Sequence, residues 1–202
     1  MCADEGVDAI GINFVPSSKR VVTPDEARAI ADAVRGRVLI VGVVADLDVD
    51  AMKTLRDGVG LECLQLHGDE TPETLAPLLP HAYKAIRVGV RGGAPRWSAE
   101  DVARADAYGG DHVLLDGAVA GSGKTFDWSL ARDLASRRRV TLAGGLGPEN
   151  VEDAIRAVSP YCVDVASGVE SGPRRKDRAR VREFVRRARV AAVRAAPTMK
   201  DR

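Results

Sequence analysis

Several things are scarce in this 202-residue sequence, and each shortage excludes a class of protein. Lysine and arginine nearly cancel aspartate and glutamate, 30 against 29, so no bulk attraction draws the chain to nucleic acid or a membrane surface. Only 4% of residues are aromatic. The arginine-dense stretch 174–194 therefore lacks the interleaved aromatics of a nucleic-acid face, and reads as a solvated outer helix. The three cysteines have no paired spacing, which excludes a disulfide framework and suits a reducing compartment. The opening Met1-Cys2-Ala3-Asp4-Glu5 has no apolar core, so it is not a signal peptide. No apolar run approaches the roughly 20 residues that span a bilayer. A soluble, cytoplasmic protein is expected. Without repeats or low-complexity segments, it reads as one domain over residues 1–190 with a tail over 191–202.

What is present is a regular alternation. Strands are expected over 8–14, 38–44, 61–66, 82–87, 113–116, 140–143 and 162–165. Their runs of β-branched and apolar residues alternate poorly, as in strands covered on both faces of a parallel sheet. Helices follow: one after the capping box Thr23-Pro24-Asp25-Glu26 to about 34, others over 49–57, from 71, over 98–105, from 128, over 148–158 and over 176–192. Segment 88–96, with three glycines and a proline, reads as a loop. Such βα units indicate an α/β barrel, one strand short of a (β/α)₈ TIM-type barrel.

The stretch 112–128, HVLLDGAVAGSGKTFDW, stands out. A short apolar run ends on Asp116, a glycine-rich loop follows, and Asp127 sits where a helix cap belongs. A carboxylate at the C-terminal tip of a buried strand is well placed for acid–base chemistry. Ala118 to Thr125 also fits a relaxed phosphate-binding loop, AxxxxGKT. In such a loop the helix starts at the Lys-Thr pair, whereas Asp127 caps this one two residues later.

The stretch closely resembles the phosphoribosylanthranilate isomerase family in Leu114-Leu115-Asp116 and Gly123-Lys124-Thr125-Phe126-Asp127-Trp128. Three further blocks match in order: Gln65-Leu66-His67-Gly68-Asp69-Glu70; Ala143-Gly144-Gly145-Leu146 with Pro148-Glu149-Asn150; and Val163-Asp164-Val165 with Ser167-Gly168-Val169-Glu170. The resemblance covers about residues 3–190. It implies an Amadori rearrangement of N-(5-phosphoribosyl)anthranilate in tryptophan biosynthesis, with no metal and no organic cofactor. Two rival readings are another phosphosugar epimerase barrel and a non-catalytic phosphate-binding barrel.

The resemblance also assigns roles. Asp116 becomes the general acid, its pKa raised by burial in the barrel mouth. Arg20 is expected to face the anthranilate carboxylate, since a guanidinium can bind a carboxylate through two parallel hydrogen bonds. Gln65 and His67 share one face of a strand and line the pocket. Gly144, Gly145, Ser167 and Gly168 end two strands, where backbone amides and a helix start near 168 would hold phosphate. Asp164 is expected on a substrate hydroxyl, and Ala166 replaces the usual first serine of a Ser-Ser pair. Lys124 would close over the ligand on its loop. The family's base is a cysteine ending a strand ahead of residue 6. That first strand and most of the first helix are expected to be absent here. Cys63 is no substitute, because about 13 Å of strand separates it from the rim. Cys2 and Cys162 are not placed for the role either.

Overall fold

The structure, a computed structural model, describes residues 1–88, 90–91, 94–95, 98–117, 129–172 and 174–195. All seven expected strands form: β1 (Ala9–Asn13), β2 (Leu39–Val44), β3 (Cys63–Leu66), β4 (Ala82–Arg87), β5 (His112–Asp116), β6 (Arg139–Ala143) and β7 (Cys162–Val163). They lie side by side in chain order, and every pairing is parallel. The helices are α1 (Pro24–Val34), α2 (Val49–Val59), α3 (Pro72–Leu75), α4 (Ala99–Ala107), α5 (Ser129–Arg137), α6 (Val151–Val158) and α7 (Arg178–Ala195).

Local chemistry starts and stops these helices. The Thr23 hydroxyl accepts from the Glu26 amide, and the Glu26 carboxylate accepts from the Thr23 amide at 2.8 Å. Ser98 and Asp101 repeat that box at α4, and Asp48 caps α2. Each cap is worth about 0.5–2 kcal/mol. Gly60 ends α2 in the left-handed conformation, φ 76°.

Strand alternation divides the side chains. Ile40, Val44, Leu64 and Leu66 point outward onto Ala27 and Ala31 of α1 and Met52 of α2. On the other half of the sheet, Leu115 and Leu142 meet Leu134, Ile155 and Phe184 of α5, α6 and α7. Burial of each large aliphatic side chain contributes about 1.5–3 kcal/mol. The alternate residues point inward, where Val41, Tyr83, Ala85, Leu114 and Ala143 form a smaller cluster.

Among the described residues β1 and β7 are not paired with each other, so the sheet has seven strands and a seam. Ion pairs bridge that seam at both rims. Above, Arg20 meets Glu170 through Nε (2.7 Å) and Nη2 (2.5 Å). Below, Arg182 reaches Glu5 at 2.7 Å, and Arg178 reaches Asp4 and Glu5. Much of the basic charge of α7 is spent here and on its own Glu183, which takes Arg186 and Arg187. That is the behaviour of an outer helix. Among the described residues, no helix is long and apolar enough to cross a membrane.

Several boundaries differ from expectation. α6 starts at Val151, not 148, because the Asn150 side chain is spent on the preceding turn: it accepts from Gly147 N and donates to Gly145 O. No α-helix starts near 168. Ser167–Val169 is one 3₁₀ turn, followed by a hairpin of Glu170–Gly172 with Arg175–Lys176, whose Glu170 is tied to Arg20. Segment 88–96 holds a small hairpin, Val90–Arg91 with Ala94–Pro95. α7 runs to Ala195, past the domain edge expected at 190, because Ala191 is buried against its neighbours. The Asp127 cap and the 118–125 loop lie outside the described residues.

Inside the lower barrel, His112 stacks on Tyr83 (centroids 4.2 Å apart), and its Nε2 lies 2.8 Å from Thr141 Oγ1. Desolvation lowers its pKa to about 4; Asp111 opposes the shift, while Arg139 and Arg138 add to it. A folded pKa below the unfolded value of 6.5 gives stability that is present above that value and lost as pH falls toward 4. We expect His112→Gln to flatten the pH dependence of denaturant midpoints across that window. Parallel curves for parent and variant would disprove the assignment.

Candidate active site

One cavity of about 1320 Å³ runs along the inside of the sheet from the floor to the C-terminal ends of the strands, where it is lined among others by Arg20, His67, Asp116, Gly144, Asp164 and Ser167. Alternation puts Cys63 and Gln65 of β3 on its wall, with His67 just beyond the strand end. Four side chains then form a continuous line. Tyr83 Oη lies 3.1 Å from Gln65 Oε1, Gln65 Nε2 lies 3.0 Å from His67 Nδ1, and His67 Nε2 lies 3.1 Å from Asp116 Oδ2.

The loop carrying His67 is held from behind. The buried Lys84 ammonium donates to Leu66 O, Gly68 O and Glu70 Oε2 at 3.2, 2.6 and 2.9 Å. Glu70 in turn accepts from the amides of Asp46 and Gly68. With each carboxylate oxygen and all three ammonium hydrogens engaged, the buried pair is satisfied, as a desolvated pair must be. Arg87 donates to His67 O at 2.8 Å.

Opposite, the β6 strand ends in Gly144 and Gly145, with φ 89° and 70°. A Cβ on Gly144 would fall 1.9 Å from Gly117 O and 2.7 Å from Asp116 Oδ1. Only glycine therefore lets this turn lie against the Asp116 carboxylate. Gly168 is likewise required by close approach, a Cβ there meeting Leu146 O at 1.9 Å. That contact sets the 3₁₀ turn carrying Ser167 directly on the loop after β6. Gly168 itself is absent from the cavity wall, whereas Gly145 and Ser167 line it.

Asp164 projects into the cavity. Desolvation by the surrounding barrel raises its carboxyl pKa, although cavity solvent still reaches the side chain; Lys176 opposes the rise and Asp116 adds to it. Arg20 is at the rim, but the fork expected to take a ligand carboxylate already holds Glu170. Glu170 is correspondingly more acidic than usual, chiefly through its hydrogen bond from Arg20 and further through Lys176. Lys124 lies outside the described residues.

The three cysteines line the same cavity, but away from its rim. Cys63 and Cys162 open β3 and β7, at the opposite ends of those strands from the rim. Burial pushes the Cys63 thiol up to about 11 and raises Cys162 too, so neither is an activated thiolate. Cys2 sits in a 3₁₀ turn against the α7 side of the core.

Tyr83, Lys84, Arg87, Glu170 and Lys176 carry parts of this arrangement that sequence reading did not assign. A signal existed for the first three: they are the polar residues of AYKAIR, an otherwise apolar strand buried over most of its length.

Comparison with known proteins gives one answer. The family described as N-(5'phosphoribosyl)anthranilate (PRA) isomerase matches residues 1–187. An N-(5'-phosphoribosyl)anthranilate isomerase of Desulforudis audaxviator is 42% identical over 93% of this chain and 90% of its own. One from Myxococcus xanthus is 43% identical over 92% and 88%. Among solved structures, phosphoribosyl anthranilate isomerase from Thermotoga maritima has a TM-score of 0.81 and 35% identity, covering 94% of this chain and 91% of that one. A structure of the enzyme with reduced 1-(o-carboxyphenylamino)-1-deoxyribulose 5-phosphate has a TM-score of 0.80 at 33% identity, over 94% and 91%.

Replacing Gly144 with alanine is expected to destabilise the fold by at least the roughly 1–3 kcal/mol of a strained backbone. Gly58→Ala, within α2 and with nothing inside 4 Å of the added Cβ, serves as the control and should be neutral or stabilising. Equal melting temperatures for the Gly144 variant and its parent would refute the close-approach argument.

Proposed function

The chain belongs to the N-(5'-phosphoribosyl)anthranilate isomerase family, and from that premise we propose how its residues divide the isomerisation among them. The reaction opens the ring of an N-ribosyl amine and turns an aldose into a ketose. An acid protonates the ring oxygen as the C1–O bond breaks, giving an imine. A base then takes the proton from C2, and the resulting enolamine collapses to the aminoketone.

Asp116 is the acid. The observation that carries this reading is its place at the tip of β5, held by His67 at 3.1 Å and opening on the cavity. Asp164, with its raised pKa, holds a substrate hydroxyl across from it. Gly145 and Ser167 offer backbone amides to the phosphate from two loops packed on each other at Gly168. Without an α-helix at 168, the anion relies on those amides and on the nearby Lys176 and not on a full helix dipole. Arg20 reaches the anthranilate carboxylate with the part of its guanidinium that Glu170 leaves open. Lys124 closes over the ligand from its loop.

The base is the remaining part. No cysteine of residues 1–202 reaches the rim, and the β1–β7 seam is unpaired among the described residues. The resemblance puts the base on a strand ahead of β1. Of the three histidines only His67 stands at a strand's C-terminal end, so the epimerase chemistry that several histidine ligands would support is disfavoured.

Two assays test this. With no cysteine at the rim, the chain should turn over N-(5'-phosphoribosyl)anthranilate feebly, and robust turnover would show that another group serves as the base. Relative to the parent, Asp116→Asn should lower kcat by about 10²–10⁴-fold with KM little changed. A kcat within about threefold of the parent would remove Asp116 from the acid's role.

A further inference from the structure

We infer that Gln65 and Tyr83 are positioning residues that set the tautomer of His67 and, through it, which oxygen of Asp116 carries the acid proton. The inference rests on Asp116 being the acid.

The line of hydrogen bonds has only one polarity when Asp116 is ionised. A carboxylate accepts and cannot donate, so the hydrogen between His67 Nε2 and Asp116 Oδ2, 3.1 Å apart, belongs to the imidazole. A neutral imidazole has a single N–H, which leaves a lone pair on Nδ1. Gln65 must then present its amide nitrogen to Nδ1, at 3.0 Å. Its carbonyl oxygen consequently faces Tyr83 Oη at 3.1 Å, and the tyrosine hydroxyl donates. Tyr83 is a dependable donor. It is 8% exposed, its ring is clamped on His112, and burial raises its pKa far above the usual tyrosine range.

The reverse polarity has a chemical consequence. With the Gln65 amide turned over, His67 would carry its hydrogen on Nδ1 and show a lone pair to Asp116. That arrangement is satisfied only by a proton on Oδ2, where the histidine would hold it away from substrate. In the inferred polarity Oδ2 is already an acceptor, so a proton on Asp116 goes to Oδ1. That is the oxygen beside Gly144, where the missing Cβ leaves room. The tautomer therefore decides whether the acid's proton is offered or withheld. Among the described residues, charged groups around the pair are Arg87 from β4, Asp164 beyond β7 and Lys176 from the hairpin; the Gly144 turn beyond β6 brings none.

Imidazole ¹⁵N shifts distinguish the two neutral tautomers directly, and the signals are assigned with His81→Gln and His112→Gln. In the folded 202-residue chain, near neutral pH, we expect His67 in the Nε2–H form. In an Asp116→Asn background, where residue 116 can donate or accept and no longer imposes the hydrogen on Nε2, Tyr83→Phe keeps the ring stack but removes the donor, and should populate the Nδ1–H form. Gln65→Glu sets a carboxylate on Nδ1 and should extend the doubly protonated imidazole to higher pH than in the parent. A parent His67 in the Nδ1–H form overturns the inference, as does a protonation pattern unchanged in both variants. The measurement does not depend on turnover. An active Asp116→Asn enzyme would cost Asp116 its role as acid while leaving the tautomer result to stand or fall separately.

Discussion

In a parallel strand covered on both faces, successive side chains must serve two different surroundings, and that constraint governs this protein. The outward residues of β2 to β6 meet helices and are mostly aliphatic, as Leu64, Leu66, Leu115 and Leu142 are, with the buried Lys84 of β4 as the exception. The inward residues converge on a narrow interior that ends in a cavity. There, Cys63-Gln65-His67 and His112-Leu114-Asp116 climb from the floor to the rim. A one-residue slip in either strand would exchange leucines for these polar groups. Core packing and site geometry are thus two readings of one register.

Electrostatics fixes what the sheet leaves loose. The buried Lys84–Glu70 pair is satisfied on all sides and pins the loop after β3, so His67 arrives at Asp116 with little freedom. At the seam the chain relies on rim contacts in place of strand pairing. Glu170 gathers Arg20 and Lys176 above, while Asp4 and Glu5 gather Arg178 and Arg182 below. The exposed members of these sets contribute little singly, since solvent screens them. Glu170 is the exception, with a side chain only 6% exposed. Its tie to Arg20 couples the rim on the two sides of the seam, next to the cavity that the family resemblance assigns to substrate.

Much of this was legible in the sequence. Apolar runs gave all seven strands, the capping box Thr23-Pro24-Asp25-Glu26 gave the start of α1, and the motif blocks named the family. Those signals are local: a strand needs its β-branched run, and a helix start needs its Thr-Pro-Asp-Glu, whatever lies across the fold. Elsewhere a distant or competing contact bears on the residue that the local signal singled out. Asn150 looked like part of a helix but closes the Gly145 turn. Gly168 looked like an anion-binding glycine but is required where Leu146 O approaches it. Arg20 looked like a free fork and is held by Glu170, 150 residues away.

The sequence by itself determined the order of elements, the parallel sheet, the family, and Asp116 as the carboxylate at a strand tip. Tertiary structure alone decided which groups that carboxylate meets. Tyr83, Gln65, His67 and Asp116 come from three different strands and the loop beyond one of them. Their hydrogen bonds depend on a relative placement of β3, β4 and β5 that no spacing along the chain encodes. Hydrogen bonds act over about 3 Å, and only the curvature of the sheet across β3, β4 and β5 brings residues 49 positions apart to that range.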